Sequence, residues 1–200
     1  MPHFGDRRVR FATQTDTHRL LDIYAPYVRD TPVSLECEVP SPEMLAGRMA
    51  NVQAAYPWLV YEERGTAAGY AYAAQYRSRS AFAWSVETSI YFAPEYHGDG
   101  RGSALYGCLF ALLRAAGFCN AYTVITVPND QSIGFHTRAG FVPAGVHHCA
   151  GFKFGRRHDV AWMEKALGDY PQAPVPPVPP HRLDTAFCER IFASAVKPRA

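Results

Sequence analysis

SIYFAPEYHGDGRGSALYGCLF, residues 89 to 110, decides how this chain is read. The run AFAWSVETSIYF (81 to 92) leads into it as a long strand. Pro94, which cannot donate to a ladder, releases the chain into a loop. After the loop, SALYGCLFALLRAAG places Leu105, Leu109, Leu112 and Leu113 on one face of a helix, with Gly117 as its C-cap. Gly98, Gly100 and Gly102 thus stand between a strand and a helix N-terminus. There, backbone N–H groups can approach an anion closely, and the helix adds partial positive charge. Three glycines alone are a weak signal, since plain tight loops are as common. Two rival phosphate motifs fail outright. A P-loop needs Lys followed by Ser or Thr where Ser103-Ala104 stand, and a dinucleotide fingerprint needs G-x-G-x-x-G where the spacing is G-x-G-x-G.

Upstream, RVRFA (8 to 12) alternates as a short strand, and Thr13 to Asp16 cap a helix carrying LLDIYAPYV. VSLECEV (33 to 39) reads as an extended segment between turns. A helix follows Ser41, with Glu43 in its first turn, and runs to about Ala55. WLVYEE and AAGYAYAAQY form a hairpin around Gly65. Downstream, AYTVITV is a buried-type strand, and Asn129-Asp130 cap the helix QSIGFHTRA, closed by Gly140. Two more strands occupy FVPAGVHHCAGFKFG and RRHDVAWMEKAL. This order argues for one mixed α/β (α+β) domain through residue 168. Residues 169 to 180, rich in proline (YPQAPVPPVPP), read as an extended linker. In the tail from 181 to 200, Leu183, Phe187, Ile191 and Ala195 recur at helical spacing, predicting an amphipathic helix that docks on its own domain or on a partner subunit.

Composition sets limits. Twenty basic and 18 acidic residues give a net charge of +2, too balanced for sequence-independent phosphate binding, so a nucleic-acid partner is not expected. Five cysteines without a C-x-x-C pair suit free thiols in a reducing compartment. No apolar run approaches the roughly 20 residues of a membrane span, and the N-terminus lacks a signal peptide's apolar core; a cytoplasmic location is expected. His147, His148 and Cys149 alternate across a strand and predict no metal site.

The loop resembles the R/Q-x-x-G-x-G/A signature of the GNAT acyltransferase superfamily, read here as His97-x-x-Gly100-x-Gly102, with His97 in place of the usual Arg or Gln. PNDQSIGFHTRAGF resembles the family's second cofactor segment, with Asn129, His136, Gly140 and Phe141 at its marked positions. More narrowly, VSLE followed by SPE, GYAYA, RSRSAF, WSVETSIYFAPE, VPND and GFKFGRRHDV resemble phosphinothricin acetyltransferases and their methionine sulfoximine-acetylating relatives. The blocks occur in order over about residues 8 to 167.

The resemblance implies a GNAT fold: a mixed, mostly antiparallel central sheet with a splayed strand pair, flanked by helices. It also implies acetyl-CoA as cosubstrate and a homodimer, with the tail helix as a candidate contact. Glu87 sits mid-strand, where an inward charge is costly unless paired or functional; the resemblance makes it the general base, acting through water. Ile90, Tyr91 and Phe92 lie where relatives splay the sheet and offer backbone N–H groups to the thioester and the pantetheine arm. His136 falls at the general-acid position, and an unperturbed histidine pKa suits a proton donor to the departing thiolate. Gly98, Asp99, Gly100, Arg101, Gly102 and Ser103 are placed on the pyrophosphate with His97 beside them, Arg101 being read more readily as an exposed loop arginine. Asn129 is placed on the cofactor or, more simply, as a helix N-cap.

For the acceptor, Arg77 and Arg79 resemble the family's basic pair, and alternation along a strand lets their guanidiniums converge. Tyr91 is shared between cofactor and acceptor. Leu35 and Phe82 stand where some members carry Phe and Tyr. Cys108 and Cys119 read as helix packing, so direct transfer is favoured over an acyl-enzyme. The expected activity is therefore acetyl transfer to the amine of a small amino acid or analogue. The alternatives are another small amine as acceptor and a silent acyl-CoA-binding module.

Overall fold

The computed structural model describes residues 7–196. Seven strands form one open sheet: β1 (Arg7–Phe11), β2 (Trp58–Glu63), β3 (Thr66–Gln75), β4 (Ser85–Phe92), β5 (Asn120–Val127), β6 (Val142–Lys153) and β7 (Arg156–Ala166). Their spatial order is β1-β2-β3-β4-β5-β7-β6. Every neighbouring pair is antiparallel except β4 and β5, which run parallel.

Helices cover both faces. α1 (Thr17–Asp30) and α2 (Pro42–Gln53) lie on one, where Leu20, Ile23, Leu45 and Met49 meet Trp58, Val60 and Tyr70. α3 (Arg101–Ala115) lies on the other, where its four leucines meet Leu59, Ala71, Val86 and Ala121. Strand alternation explains why β2 is buried at every residue: Trp58 and Val60 face one helical layer, Leu59 and Tyr61 the other. Leu105, Leu109, Leu112 and Leu113 are 0 % exposed, each contributing roughly 1.5–3 kcal/mol by burial. α4 (Asp130–Arg138) follows β5, and α5 (Thr185–Ala195) closes the chain.

Local capping matches the sequence expectation. The Ser41 hydroxyl accepts from Met44 N–H at 3.2 Å with Pro42 in the first turn of α2, and Asn129 Oδ1 accepts from Ser132 N–H at 3.1 Å at the start of α4.

Two boundaries differ from expectation, and two broader readings take a definite form. The strand foreseen over 81 to 92 begins at Ser85, because residues 80–82 wind into a 3-10 turn closed by Phe82 N–H to the Arg79 carbonyl. The alternating stretch 33 to 39 forms no strand; it is the loop between α1 and α2. α3 starts at Arg101 rather than Ser103. The tail helix α5 docks on its own domain, packing against α3 and β1 with Cys188 buried and Phe192 edge-on to Phe11 at 5.2 Å.

Candidate active site

The sheet opens at its centre. β4 and β5 pair over three positions, Ser85 with Asn120, Val86 with Ala121 and Glu87 with Tyr122, and then part. β4 stays on β3 through Phe92, and β5 stays on β7 through Val127. At the apex Thr88 Oγ1 donates to the Tyr122 carbonyl at 3.2 Å, closing the ladder with a side chain. Below it lies a small cavity between Ser89 to Tyr91 on β4 and Thr123 to Thr126 on β5, with Asn129 and His136 at its far wall. Alternate N–H groups of a strand that has lost one neighbour face the gap and are free to pair with an extended ligand.

Glu87 is the last paired residue at this apex, half-buried. Burial pushes its carboxyl above the usual range, and the Arg77 charge partly pulls it back. A carboxylate so placed can take up a proton at a pH where an exposed glutamate would not.

The loop at the mouth of the fork is left-handed at Gly98 (φ 84°), Asp99 (φ 50°) and Gly100 (φ 75°). That run of positive φ is what the two glycines permit, and it turns the first amides of α3 outward. Gly100 supplies no side-chain cap, so the N–H groups of Arg101, Gly102 and Ser103 have no intrahelical partner. Gly102 serves a second end: a Cβ there would sit 3.0 Å from the Phe135 ring and 3.7 Å from Ile90, so its absence lets α4 and β4 close on the first turn of α3.

Two loop residues differ from expectation. Arg101 is not an exposed loop arginine; it is 8 % exposed, with Nε on Glu63 at 2.8 Å and Nη1 on Asp99 at 3.1 Å. Its charge anchors the loop to the end of β2. His97 turns away from the loop: its Nε2 lies 3.0 Å from Tyr27 Oη and 3.1 Å from the Phe92 carbonyl, to which Tyr27 itself donates. Since the carbonyl can only accept, Tyr27 gives its proton there and His97 Nε2 acts as a second donor.

His136 lies on the buried side of α4, 4 % exposed. Its Nδ1 is 2.8 Å from the Ser132 carbonyl and must carry the hydrogen, which leaves Nε2 to accept from Tyr106 Oη at 3.1 Å, with Thr123 Oγ1 at 3.4 Å. Burial lowers its pKa, against a raising contribution from the Ser132 bond. The near-neutral donor foreseen from sequence is therefore a neutral imidazole at rest, because desolvation disfavours the cation.

The acceptor-side residues divide. Arg77 stacks over Tyr76 and Trp162, 4.7 and 5.2 Å from their ring centroids, and its charge reaches Glu87. Arg79 does not converge with it by strand alternation, since β3 ends at Gln75 and Arg79 caps the 3-10 turn. Instead Arg79 and Phe82, together with Arg77, line a separate cavity of about 310 Å³. Leu35 packs on Gly151, where a Cβ would approach to 2.9 Å. The loop that carries Leu35 is pinned by Lys153, whose buried ammonium donates to the carbonyls of Val28, Thr31 and Ser34 at 2.5, 2.9 and 2.7 Å. Tyr91 stacks edge-on with Tyr24 and Tyr27 at 5.0 and 5.2 Å, so its ring belongs to the α1 face.

Residues 9–162, which include this fork and loop, match a family model, "Acetyltransferase (GNAT) domain". The chain belongs to the GNAT acetyltransferases. It is an N-acetyltransferase that uses acetyl-CoA as cosubstrate. The enzyme is similar to the phosphinothricin N-acetyltransferase of Streptomyces viridochromogenes, 34% identical over 86% of this chain and 91% of the relative. It is also similar to the L-methionine sulfoximine/L-methionine sulfone acetyltransferase of Salmonella typhimurium, 32% identical over 81% of this chain and 95% of the relative. Among solved structures, a GNAT superfamily phosphinothricin acetyltransferase from Sinorhizobium meliloti in complex with AcCoA superposes with a TM-score of 0.82. That protein is 35% identical, over 89% of this chain and 98% of its own.

Several residues that hold the candidate site residues in place belong to none of the motifs above. Tyr106 holds His136, Tyr27 holds His97 and Glu63 holds Arg101. Tyr106 carries a signal of its own, since its hydroxyl interrupts the leucine face of α3 and must find a partner when buried. Among the described residues no group of three or more His, Cys, Asp or Glu could hold a metal; His148 instead pairs with Asp159 at 2.8 Å. No described helix is long and apolar enough to cross a membrane.

Proposed function

We propose that this enzyme acetylates the primary amine of a small amino acid or analogue of the phosphinothricin or methionine sulfoximine/sulfone type, by direct transfer from acetyl-CoA. The observation that carries the reading is the placement of Glu87, a desolvated carboxylate at the apex of the β4/β5 fork, on the strand that leads into the Gly98–Ser103 loop. In this reading the pantetheine arm lies in the fork along Ile90 to Phe92. The pyrophosphate takes the outward amides from Gly98 to Ser103, with His97 and Asn129 bracing the loop and α4. The acceptor's ammonium must lose a proton before it attacks; Glu87 takes it, through water, and a β4 N–H holds the carbonyl oxygen as charge develops. As the C–S bond breaks, sulfur departs as thiolate on the side of His136 and takes up the second proton that the nitrogen sheds on becoming an amide, while His136, neutral at rest, holds Tyr106 and Thr123 in place. Arg77 attracts an anionic acceptor group, Leu35 and Tyr91 shape its apolar wall, and Arg79 and Phe82 stand further out. The names of the relatives support the acceptor class.

The same proposal has a catalytic domain through residue 168 and a cytoplasmic homodimer. β6 supports the dimer: it is a sheet edge, exposed from Val142 to Ala150, with Val142 and Val146 55% and 47% exposed. Thiol release from acetyl-CoA, measured with phosphinothricin, methionine sulfoximine, methionine sulfone and neutral amines, tests the activity. Turnover is expected with the amino-acid analogues. Binding of acetyl-CoA without turnover on any amine at mildly alkaline pH would make the chain a silent binding module.

A further inference from the structure

The chain continues past the matched family segment, and its continuation is neither a free linker nor a separate lobe. After β7, Leu167 N–H donates to the Cys119 carbonyl at 2.8 Å, and Tyr170 Oη donates to Asn120 Oδ1 at 2.8 Å. The proline run then crosses the end of α3: Val178 N–H donates to the Ala116 carbonyl at 2.9 Å, and Pro177 packs on Gly117. Finally α5 lies on α3 and β1, at the opposite edge of the sheet from β6.

One contact ties this run to the acceptor side. The Trp84 indole N–H donates to the Val175 carbonyl at 2.8 Å. Trp84 is the residue before β4, three positions ahead of Glu87, and its own carbonyl accepts from Cys119 N–H at 2.8 Å and Asn120 N–H at 3.2 Å, which sets the start of β5 against β4. On its other side the chain from Arg77 to Ala83 is exposed and belongs to no strand. That connection and Pro176 and Pro177 are two walls of the same 310 Å³ cavity. A polyproline segment has no internal hydrogen bonds and is already stiff, so it can brace a loop at small entropic cost.

We propose that residues 169–180 are a strap that positions the acceptor side of the enzyme, with Trp84 as the positioning residue through which the strap holds the Arg77–Ala83 connection. This rests on the reading that Arg77 and Glu87 face the acceptor.

The test uses the full chain. Trp84→Phe keeps the ring and removes the donor; Val178→Pro keeps an extended backbone and removes the other donor. Each is expected to raise the KM for a methionine sulfoximine acceptor by roughly threefold to tenfold, the worth of one ordinary hydrogen bond, with the KM for acetyl-CoA unchanged. Each is also expected to speed amide exchange over residues 78–84. Phe192→Ala, which loosens α5 on β1, is expected to lower Tm and leave both KM values alone. A change in Tm without the KM split, or equal rises in both KM values, overturns the strap, as does unaltered exchange over 78–84. If the unsubstituted enzyme turns over no amine, the acceptor reading fails, and the exchange measurement alone still decides whether Trp84 and Val178 hold the connection.

Discussion

Glu87→Gln replaces the carboxylate at the fork by an amide of nearly the same shape, so it removes a base and leaves packing intact. General-base assistance of this kind is worth on the order of 10²- to 10⁴-fold, and kcat is expected to fall within that range. Acetyl-CoA affinity should stay within about twofold, because Glu87 lies beyond the outward amides of the loop and presents no donor to a phosphate. Stability should move the other way. Burial raises the Glu87 pKa in the folded chain, so the stability it contributes is present below the unfolded value of about 4.3 and is lost as pH rises through the folded value. At pH 7 the desolvated charge opposes folding, and the neutral amide relieves it. Glu87→Gln should therefore melt at the same temperature as the parent or slightly higher at pH 7–8, with that advantage gone near pH 4. Thiol-release kinetics, calorimetric titration with acetyl-CoA and thermal melts at both pH values read all three quantities. A kcat within threefold of the parent, or a cofactor affinity falling as far as kcat, would refute the assignment.

Arg77→Ala should raise the KM for anionic acceptors by about twofold to fivefold, the worth of an exposed charge pair, and spare neutral amines, whereas Arg79→Ala should change it by less than about twofold, since the Arg77 charge reaches Glu87 while Arg79 caps the 3-10 turn; equal effects in steady-state kinetics would return the two arginines to a single clamp. Gly102→Ala brings a methyl to 3.0 Å from Phe135, an overpacking worth about 1–3 kcal/mol, and should lower Tm and weaken acetyl-CoA binding with the acceptor KM unchanged. His136 has a lowered pKa when folded, so the stability it contributes is present above about 6.5 and is lost as pH falls below that value; His136→Asn should flatten the dependence of Tm on pH between about 5 and 7. Val146→Glu on the β6 edge should shift sedimentation from the proposed dimer to monomer; a parent that already sediments as monomer would remove the dimer, and a dimer unchanged by the substitution would place the contact elsewhere.

The fold was legible because its signals are local. WLVYEE, AYTVITV and the leucine face of α3 each announce an element through periodicity. Ser41 and Asn129 mark helix starts through side chains that reach three residues along. The glycine loop was legible for the same reason, and the ordered family blocks made it specific. Boundaries set by cross-chain contacts were not. Nothing within 81 to 84 says that the strand waits until Ser85, since that depends on the 3-10 turn and on Cys119 and Asn120 meeting the Trp84 carbonyl.

Sequence by itself determined the element types, the glycine loop between β4 and α3 and the presence of Glu87, Asn129 and His136 at positions that resemble the family's. Tertiary structure decided what each side chain has become. Arg101 is an internal anchor because Glu63, 38 residues earlier, lies beside it. His136 has a lowered pKa because burial desolvates its imidazole, against the pull of the Ser132 carbonyl. Arg77 and Arg79 share a cavity but no strand face, because β3 has already ended at Gln75. Periodicity and capping act over three or four residues and can be read along the chain. Charge state and hydrogen-bond partner depend on burial and on residues distant in sequence, and they exist only once the sheet has closed around them.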